Sequence, residues 1–343
     1  RSEPLTGEDL GFWWGDQPRQ RTTMAMLLLL DRRPHTARLR AAVQRAVDAV
    51  PRLQQCVVDA PLDIARPRWE DDPTFDLDFH VRRYAVSHED GSPQHATLDD
   101  LFATLGPIYE RPFDQTRPLW ELVELDGPGD GAALFFRLHH GVADGVGGNA
   151  ILAALTDGIA GDAAEDDLYP EEPARRAPGP WDDKSFGTRL AESLGHRAEE
   201  GWERARGLAG GMFTFATSPS AWLDAGRVAT DLWGSLGESV DSPLERFGRS
   251  RHLTGFHLPF EPLRKAKAQL GGQMIDVMLT AVTGAFGAWH RRHGYDETDE
   301  VMTLVPINLR PRAEQGLQAG LGNRATGLML KLPMSERDPL ARF

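Results

Sequence analysis

Short apolar runs bounded by charged residues, glycine or proline indicate the strands of this chain. Met24–Leu30 is apolar throughout and is followed by charges, so we interpret it as a core strand. A second run begins at Ala132 and enters two histidines, and a turn rich in glycine, proline and aspartate at 126–131 joins it to a strand predicted at Pro118–Leu125. We expect these two strands to pair. Further strands are predicted at 54–59, 75–82, 252–258, 301–305 and 327–332, the one at 75–82 from alternating apolar and polar residues.

Apolar residues spaced three and four apart predict the helices, because that spacing places them on one face. Thr36 is a typical N-cap for a helix whose apolar face starts at Leu39, and Pro51 ends it. The run at 276–290 is so rich in apolar residues that we expect a buried helix there. Other helices are predicted at 97–109, from 149 onward, at 185–206 and at 263–270.

A proline-rich acidic stretch at 158–184 interrupts this pattern and is typical of an exposed linker. The chain of 343 residues is long enough for about two domains. We therefore divide it into an N-terminal domain over 1–157, a linker with connecting helices over 158–240, and a C-terminal domain over 241–343. Within the connecting part, an apolar set either contacts lipid at a membrane interface or packs against the second domain, and it consists of Met212, Phe213, Phe215, Trp222, Leu223, Leu232 and Trp233.

The charge balance and the cysteine content limit the class of protein. A net charge of −13 argues against a general binder of nucleic acid or of anionic membranes, so no nucleic-acid partner is expected. Cys56 is the single cysteine, which excludes an internal disulfide and fits a reducing compartment. No apolar stretch approaches a membrane span, and no signal-peptide pattern opens the sequence. We expect a cytoplasmic location, with peripheral contact at a membrane or lipid-droplet surface as a further option.

The candidate chemistry lies in HHGVADG, His139–Gly145, directly after the apolar run. Histidine has the side-chain pKa nearest neutrality and suits a general base. Adjacent strand residues point to opposite faces, so only one histidine should face a reaction space while the other supports the structure. Asp144 can fix the turn or hold an arginine or an imidazole, and Gly145 lets the backbone turn tightly. From these residues alone, a purely structural role for the pair stays open.

Other catalytic motifs do not hold. GVGGNA at 145–150 follows a strand and opens a helix, as a dinucleotide-binding turn does, but its acidic partner would fall in the proline-rich linker. The sequence contains no G-x-S-x-G elbow, no Walker loop and no H-E-x-x-H motif. No cysteine-histidine cluster suggests zinc, so no metal site is predicted.

HHGVADG resembles the HHxxxDG motif of the CoA-dependent acyltransferase superfamily. Four further blocks are similar to those of the bacterial wax ester synthase/diacylglycerol acyltransferases. The combination is specific, although any single block is not. The blocks are FDLDFHVR at 75–82, RPLWE at 117–121, VPINLR at 305–310 and GNRAT at 322–326.

This resemblance implies an α/β fold and a reaction. The fold would comprise two chloramphenicol-acetyltransferase-like domains, each a mixed sheet flanked by helices, with the active-site channel between them. The reaction would move a long-chain acyl group from acyl-CoA to diacylglycerol or to a long-chain alcohol, giving triacylglycerol or a wax ester. Acyl-CoA would be a co-substrate, and no resident cofactor or metal is implied.

The resemblance also implies roles for individual residues. His140 would be the general base and His139 would support the loop. Asp144, followed by Gly145, would pair with an arginine, for which Arg310 is the candidate. The substrate-binding residues would be Pro118, Leu119 and Trp120, which line the acyl channel or pack in the core, together with Asn308 and Arg310 from the second domain.

Two departures from the family and two alternatives accompany this hypothesis. Members of the family extend further, so we expect the second domain to be incomplete and a separate segment to finish it. The family's Asn-Asp pair ahead of the apolar helix is Ile275-Asp276 here, and Asp276 is expected only to cap the helix. One alternative is a condensation-type enzyme with a carrier-protein donor, which RPLWE and PINLR disfavour. The other is a non-catalytic lipid-binding protein, which intact His140 and Asp144 disfavour.

Overall fold

The computed structural model of the protein comprises two units. The described residues have gaps. These gaps include the linker, the apolar set of the connecting part, Arg310 and the beginning of the GNRAT block. The first unit comprises 1–201, 249–255 and 308–325, and the second comprises 202–248, 256–307 and 326–343. The described residues are 2–18, 20–86, 96–156, 185–198, 242, 250–295, 299–308 and 325–343.

The first unit is built of strands that form two sheets and of helices that pack on them. Residues 186–198 are helical as well. Its strands are β1 (Ser2–Pro4), β2 (Thr23–Leu30), β3 (Gln55–Val58), β4 (Arg68–Asp71), β5 (Val81–Arg83), β6 (Trp120–Asp126) and β7 (Ala132–His139). Its helices are α1 (Gly7–Gly15), α2 (Thr36–Ala49), α3 (Leu77–His80), α4 (Leu98–Glu110) and α5 (Gly145–Leu155).

The larger sheet is mixed and has the order β2-β7-β6-β5. β7 lies between β2 and β6 and is antiparallel to both, whereas β5 runs parallel to β6. The predicted pairing of the histidine strand with the strand before it is confirmed, although that strand begins at Trp120 and not at Pro118. The smaller sheet has the order β1-β4-β3.

The two faces of the larger sheet bury separate apolar cores. Leu122, Phe136 and Leu138 point to the core that contains residues of α2 and α5. Val123 and Phe135 point to the opposite core, which contains residues of α4. Each fully buried side chain of this size contributes about 1.5–3 kcal/mol. The histidines therefore follow a strand that is held on both faces.

The strand predicted at 75–82 is wrong over residues 75–80. The Asp76 carboxylate accepts a hydrogen bond of 2.9 Å from the Asp78 N–H and so starts the single helical turn α3. Only Val81–Arg83 continues as a strand. Phe75 and Leu77 are nevertheless buried, as the alternation suggested.

The second unit contains helices and a two-stranded sheet of β8 and β9. Asp276 accepts a hydrogen bond of 2.7 Å from the Gln273 N–H, so it caps α7. Among the described helices, none has the length and apolarity needed to cross a membrane. The elements are α6 (Phe260–Leu270), α7 (Met274–Arg292), β8 (Glu300–Asn308), β9 (Ala325–Pro333) and α8 (Pro339–Arg342).

Two expectations for the region that follows the linker are wrong. Helix α7 is not buried, because only the face with Gly287 and His290 packs, and Met278 on another face is 53% exposed. The predicted strand at 252–258 has no regular structure. Just before it, the Arg251 N–H bonds the Glu110 carboxylate and not a neighbouring strand.

Candidate active site

The backbone of both histidines is held by the chain on either side. The His139 N–H donates to the Leu119 carbonyl at 2.9 Å, and the His140 N–H donates to the Thr22 carbonyl at 2.7 Å. Leu119 belongs to the RPLWE block, so this block fixes the end of the histidine strand. The strand ends at His139, and His140 is the first residue of a turn.

The His139 ring is buried, and both of its nitrogens are engaged. A backbone N–H can only donate, so Nδ1 must accept the 3.0 Å hydrogen bond from the Gly141 N–H. The proton therefore lies on Nε2, which is 2.8 Å from Thr22 Oγ1. Burial lowers the pKa of His139 to about 4. The carboxylates of Asp16 and Asp9 raise this pKa, but their effect is smaller than that of burial. His139 is thus a neutral, fixed ring that cannot take up a proton without losing a bond.

The His140 ring is in a different environment. It is partly exposed, and it stacks on the Phe12 ring with a centroid distance of 3.9 Å and an interplanar angle of 16°. Of the two histidines, only His140 thus combines a fixed plane with access to solvent. This asymmetry gives the residue pair two different chemical capacities.

The turn after the histidines leads directly into α5. The Val142 N–H donates to the His139 carbonyl at 2.9 Å, which closes the turn. Asp144 is 4% exposed and is the N-cap of α5, because its carboxylate accepts from the Gly147 N–H at 2.9 Å. The carboxylate therefore fixes the start of the helix. Its predicted arginine partner, Arg310, lies outside the described residues.

At the start of α5, glycine is needed at Gly147, which the motif did not indicate, and not at Gly145. A Cβ on Gly147 would lie 2.9 Å from the Ala143 Cβ and 3.5 Å from the Asp144 Oδ1. A Cβ on Gly145 would meet nothing within 4 Å, and Gly145 is not among the glycines with positive φ. The expected tight turn at Gly145 therefore does not depend on glycine geometry.

The PLW residues lie in the core of the first unit. Pro118, Leu119 and Trp120 are all buried. The Trp120 indole N–H donates to the Leu53 carbonyl at 2.8 Å, and its ring stacks on His80 with centroids 4.5 Å apart. The Trp120 ring thus packs in the core, and its indole nitrogen is hydrogen-bonded there. In β8, Asn308 is the last residue and only its backbone is described.

His80 is a second buried histidine, one that sequence analysis did not assign to the site. Its Nδ1 donates to the Trp120 carbonyl at 2.8 Å, because a carbonyl can only accept. Burial lowers the pKa of His80 to about 4. Among the described residues, its Nε2 has no hydrogen-bond partner. His80 therefore holds the PLW strand as a neutral ring.

A buried ion pair that sequence analysis missed lies beside the histidine strand. Glu121 accepts from Arg137 at 2.9 Å and from Arg111 at 2.8 Å, and the two strands place Glu121 directly opposite Arg137. Burial lowers the pKa of Arg137, whereas the Glu121 carboxylate opposes that shift. The signal was available, since a charged residue at the same alternation phase in each of two apolar strands predicts a cross-strand pair.

A cavity of about 250 Å³ lies next to His139. Its walls include Trp13, Phe113 and Leu119, and the Asp16–Arg21 ion pair also lines it. Because both nitrogens of His139 are bonded, this cavity does not adjoin a histidine that can act as a base.

The sequence is similar to a catalytic family over most of its length. A family model described as the wax ester synthase/diacylglycerol acyltransferase catalytic domain matches residues 5–278. A Mycobacterium tuberculosis protein named as a candidate diacylglycerol O-acyltransferase is 31% identical over 338 residues, covering 95% of this chain and 64% of that protein. Another from M. tuberculosis is 25% identical over 285 residues, covering 82% of this chain and 56% of that protein. The chain thus spans less than two thirds of the length of these relatives.

Solved structures with a similar fold include a condensation domain and an acyltransferase. The first condensation domain of the calcium-dependent antibiotic synthetase, bound to a substrate analogue, gives a TM-score of 0.56 at 19% identity, covering 97% of this chain and 69% of that one. The wax ester synthase/diacylglycerol acyltransferase from Marinobacter aquaeolei VT8 gives 0.52 at 16% identity, covering 89% and 65%. These similarities confirm the predicted α/β fold class of mixed sheets flanked by helices.

Proposed function

Because the chain belongs to the wax ester synthase/diacylglycerol acyltransferase family, we propose that it transfers a long-chain acyl group from acyl-CoA to an alcohol. The acceptor is diacylglycerol or a long-chain alcohol, and the product is triacylglycerol or a wax ester. Acyl-CoA is a co-substrate, and the reaction uses no resident cofactor. The names of the curated relatives support the acyltransferase class.

The observation that carries the mechanism is the asymmetry of the histidine pair. His139 has both ring nitrogens bonded and stays neutral, whereas His140 is partly exposed in a fixed plane. A general base needs a nitrogen that can reach the substrate hydroxyl. His140 therefore takes the base role, and His139 supports it.

The proposed reaction proceeds in two proton transfers around one tetrahedral intermediate. His140 removes the hydroxyl proton of the acceptor while its oxygen attacks the thioester carbonyl carbon. The resulting oxyanion is stabilised by hydrogen-bond donors until the C–S bond breaks. Protonated His140 then gives its proton to the leaving CoA thiolate, so the products are an ester and free CoA. No covalent acyl-enzyme forms, and general-base catalysis of this kind accelerates a reaction roughly 10²–10⁴-fold.

Asp144 has an architectural role in this proposal. Its carboxylate holds the start of α5 through the Gly147 N–H and does not act on the substrate. Since both acceptors are lipids, we also expect peripheral contact with a membrane or lipid-droplet surface. Flotation with diacylglycerol-containing vesicles measures that contact, and protein that stays at the bottom of the gradient would contradict it.

The reaction is tested by acyl transfer from palmitoyl-CoA, with diacylglycerol and hexadecanol offered side by side. Wild type is compared with His140→Ala and with His257→Ala, an exposed histidine that serves as the control. We expect CoA release that requires an acceptor, disappears in His140→Ala and persists in His257→Ala, with circular dichroism unchanged.

Two results would contradict the proposal in different ways. CoA release that survives in His140→Ala excludes His140 as the base. No release with either acceptor from folded protein that spans the full length of the relatives excludes the acyl-CoA reaction, and turnover with an acyl carrier protein then indicates the condensation-type alternative. Lipid binding without any turnover indicates the binding protein.

A further inference from the structure

Helix α1 brings an aromatic side chain against the histidine that we assign as the base. The Phe12 ring lies almost parallel to the His140 ring, at a centroid distance of 3.9 Å and an angle of 16°. Phe12 itself is half-buried. Neither the HHxxxDG motif nor the other family blocks contain this residue.

The helix that carries Phe12 is firmly anchored at its beginning. Thr6 and Asp9 form a reciprocal capping box, with hydrogen bonds of 3.1 Å and 3.3 Å. Leu5 and Leu10 are buried in the same core as the histidine strand. The position of the Phe12 ring is therefore set by the core and not by a loose terminal segment.

The end of α1 is also connected to the histidine strand by hydrogen bonds. The Thr22 hydroxyl donates to the Phe12 carbonyl at 3.2 Å and accepts from His139 Nε2 at 2.8 Å. The Thr22 carbonyl accepts the His140 N–H at 2.7 Å. Phe12 thus contacts one histidine through its ring and is linked to the other through its carbonyl.

This arrangement has a direct consequence for proton transfer. The imidazole of a partly exposed histidine can rotate about two side-chain bonds, and most orientations direct its nitrogens away from the substrate. A flat aromatic ring against one face of the imidazole restricts that rotation to a single plane. Catalysis by proton transfer depends on such alignment, because the base must lie within hydrogen-bond reach.

We propose that Phe12 is a positioning residue, which holds the His140 ring in the plane in which it accepts the acceptor proton. The inference rests on the proposed function of His140 as the base. It concerns orientation alone, since Phe12 transfers no proton and need not touch the substrate. It also assigns a role to Phe12, which sequence analysis did not place in the site.

The kinetic test compares Phe12→Leu, Phe12→Tyr and Trp14→Leu with wild type. Leucine keeps the apolar volume but removes the flat ring, and tyrosine restores it. Trp14 is on the same helix and is 65% exposed, so Trp14→Leu is the matched control. We expect kcat to fall about tenfold in Phe12→Leu with KM changed less than about twofold, because alignment and not binding is lost. Phe12→Tyr should recover most of kcat, and Trp14→Leu should keep it.

A spectroscopic test measures the stacking without any reaction. The ring current of Phe12 shifts the carbon-bound protons of the His140 imidazole upfield, and these resonances are assigned with His140→Ala in protein that carries ¹³C-labelled histidine. In Phe12→Leu the His140 resonances should move downfield while those of other histidines stay in place. If Phe12→Leu does not fold, Phe12→Met provides the second variant without an aromatic ring.

The two tests separate this inference from the proposed function. Unchanged kcat in folded Phe12→Leu, or failure of Phe12→Tyr to restore it, would overturn the positioning role. An unchanged His140 resonance would overturn the stacking itself. If wild type shows no acyl transfer, the proposed function fails, and the resonance comparison alone decides whether Phe12 holds the His140 ring.

Discussion

The neutral state of His139 makes a prediction about stability at mildly acidic pH. Its Nδ1 accepts a backbone hydrogen bond from Gly141, so protonation at this atom replaces an acceptor by a donor facing an N–H. Burial lowers the pKa of His139 from 6.5 to about 4. In the unfolded chain the ring takes up a proton more readily than in the folded protein. Stability is therefore full above the unfolded pKa and declines as the pH falls from 6.5 towards about 4.

The size of this effect follows from the two pKa values. With 6.5 in the unfolded chain and about 4 in the folded protein, the loss from near pH 7 to near pH 5 is about 2 kcal/mol. His80, whose pKa is also lowered to about 4, contributes a loss of the same order. Replacing His139 by glutamine removes one of these two contributions. His139→Gln should therefore lose about 2 kcal/mol less than wild type over the same pH change.

The assay is urea unfolding of wild type, His139→Gln and His257→Gln at both pH values, followed by intrinsic tryptophan fluorescence. His139→Gln will be less stable than wild type near pH 7, because it loses a buried ring, and so the quantity compared is the change between the two pH values. The exposed control His257→Gln should resemble wild type. If His139→Gln lost as much stability as wild type on acidification, the neutral buried state of His139 would be refuted.

Three other substitutions, and Gly145→Ala as a control, test the surroundings of the histidines. Gly147→Ala should cost about 1–3 kcal/mol and reduce activity, because its Cβ overlaps a neighbouring methyl group, whereas Gly145→Ala should stay within about 0.5 kcal/mol by thermal unfolding. Glu121→Gln should destabilise the protein by about 3 kcal/mol in urea, because it leaves the buried Arg137 without its carboxylate, and a wild-type midpoint would contradict this. Asp144→Ala should lose about 1 kcal/mol of stability together with activity, and an inactive variant of full stability would exclude an architectural role.

The local pattern of apolar residues was sufficient to predict the central strands of the first unit. The apolar run predicted at 24–30 is the strand Thr23–Leu30, and the run that enters the histidines is a strand that ends at His139. Both runs are mostly apolar, because helices pack on both faces of this sheet, and Arg137 is accommodated by its ion pair with Glu121. The pairing of the histidine strand with the strand before it followed from the short turn between them.

The pattern of apolar and polar residues was not sufficient where a single polar contact or a neighbour distant in sequence determines the local structure. Alternation at 75–82 predicted a strand, but the cap at Asp76 turns the backbone into one helical turn. The apolar content of α7 predicted burial, but composition does not indicate whether a helix has a partner on each face, and Met278 is exposed. The stacking of Phe12 on His140 joins residues far apart in sequence, so it had no local signal.

The spacing of the HHGVADG segment follows from the path of the backbone. The strand must end at His139, because the Val142 N–H donates a hydrogen bond to the His139 carbonyl and the chain bends there. A Cβ at Gly141 would lie only 3.0 Å from the His139 Nδ1 that its own N–H bonds, so glycine allows this contact. The turn leaves room for the cap at Asp144 before α5 begins.

Exchanging the two histidine roles is not possible on this backbone. His139 shares its sheet face with Arg137, two residues earlier, and is therefore directed into protein, where burial keeps its ring neutral. His140 is the first residue beyond the strand and is partly exposed on the ring of Phe12. Inserting one residue between Arg137 and the turn would move the first histidine beyond the strand, and deleting one would move the second histidine to the buried position at the strand end. The adjacent pair thus divides support and proton transfer because a strand ends between its two members.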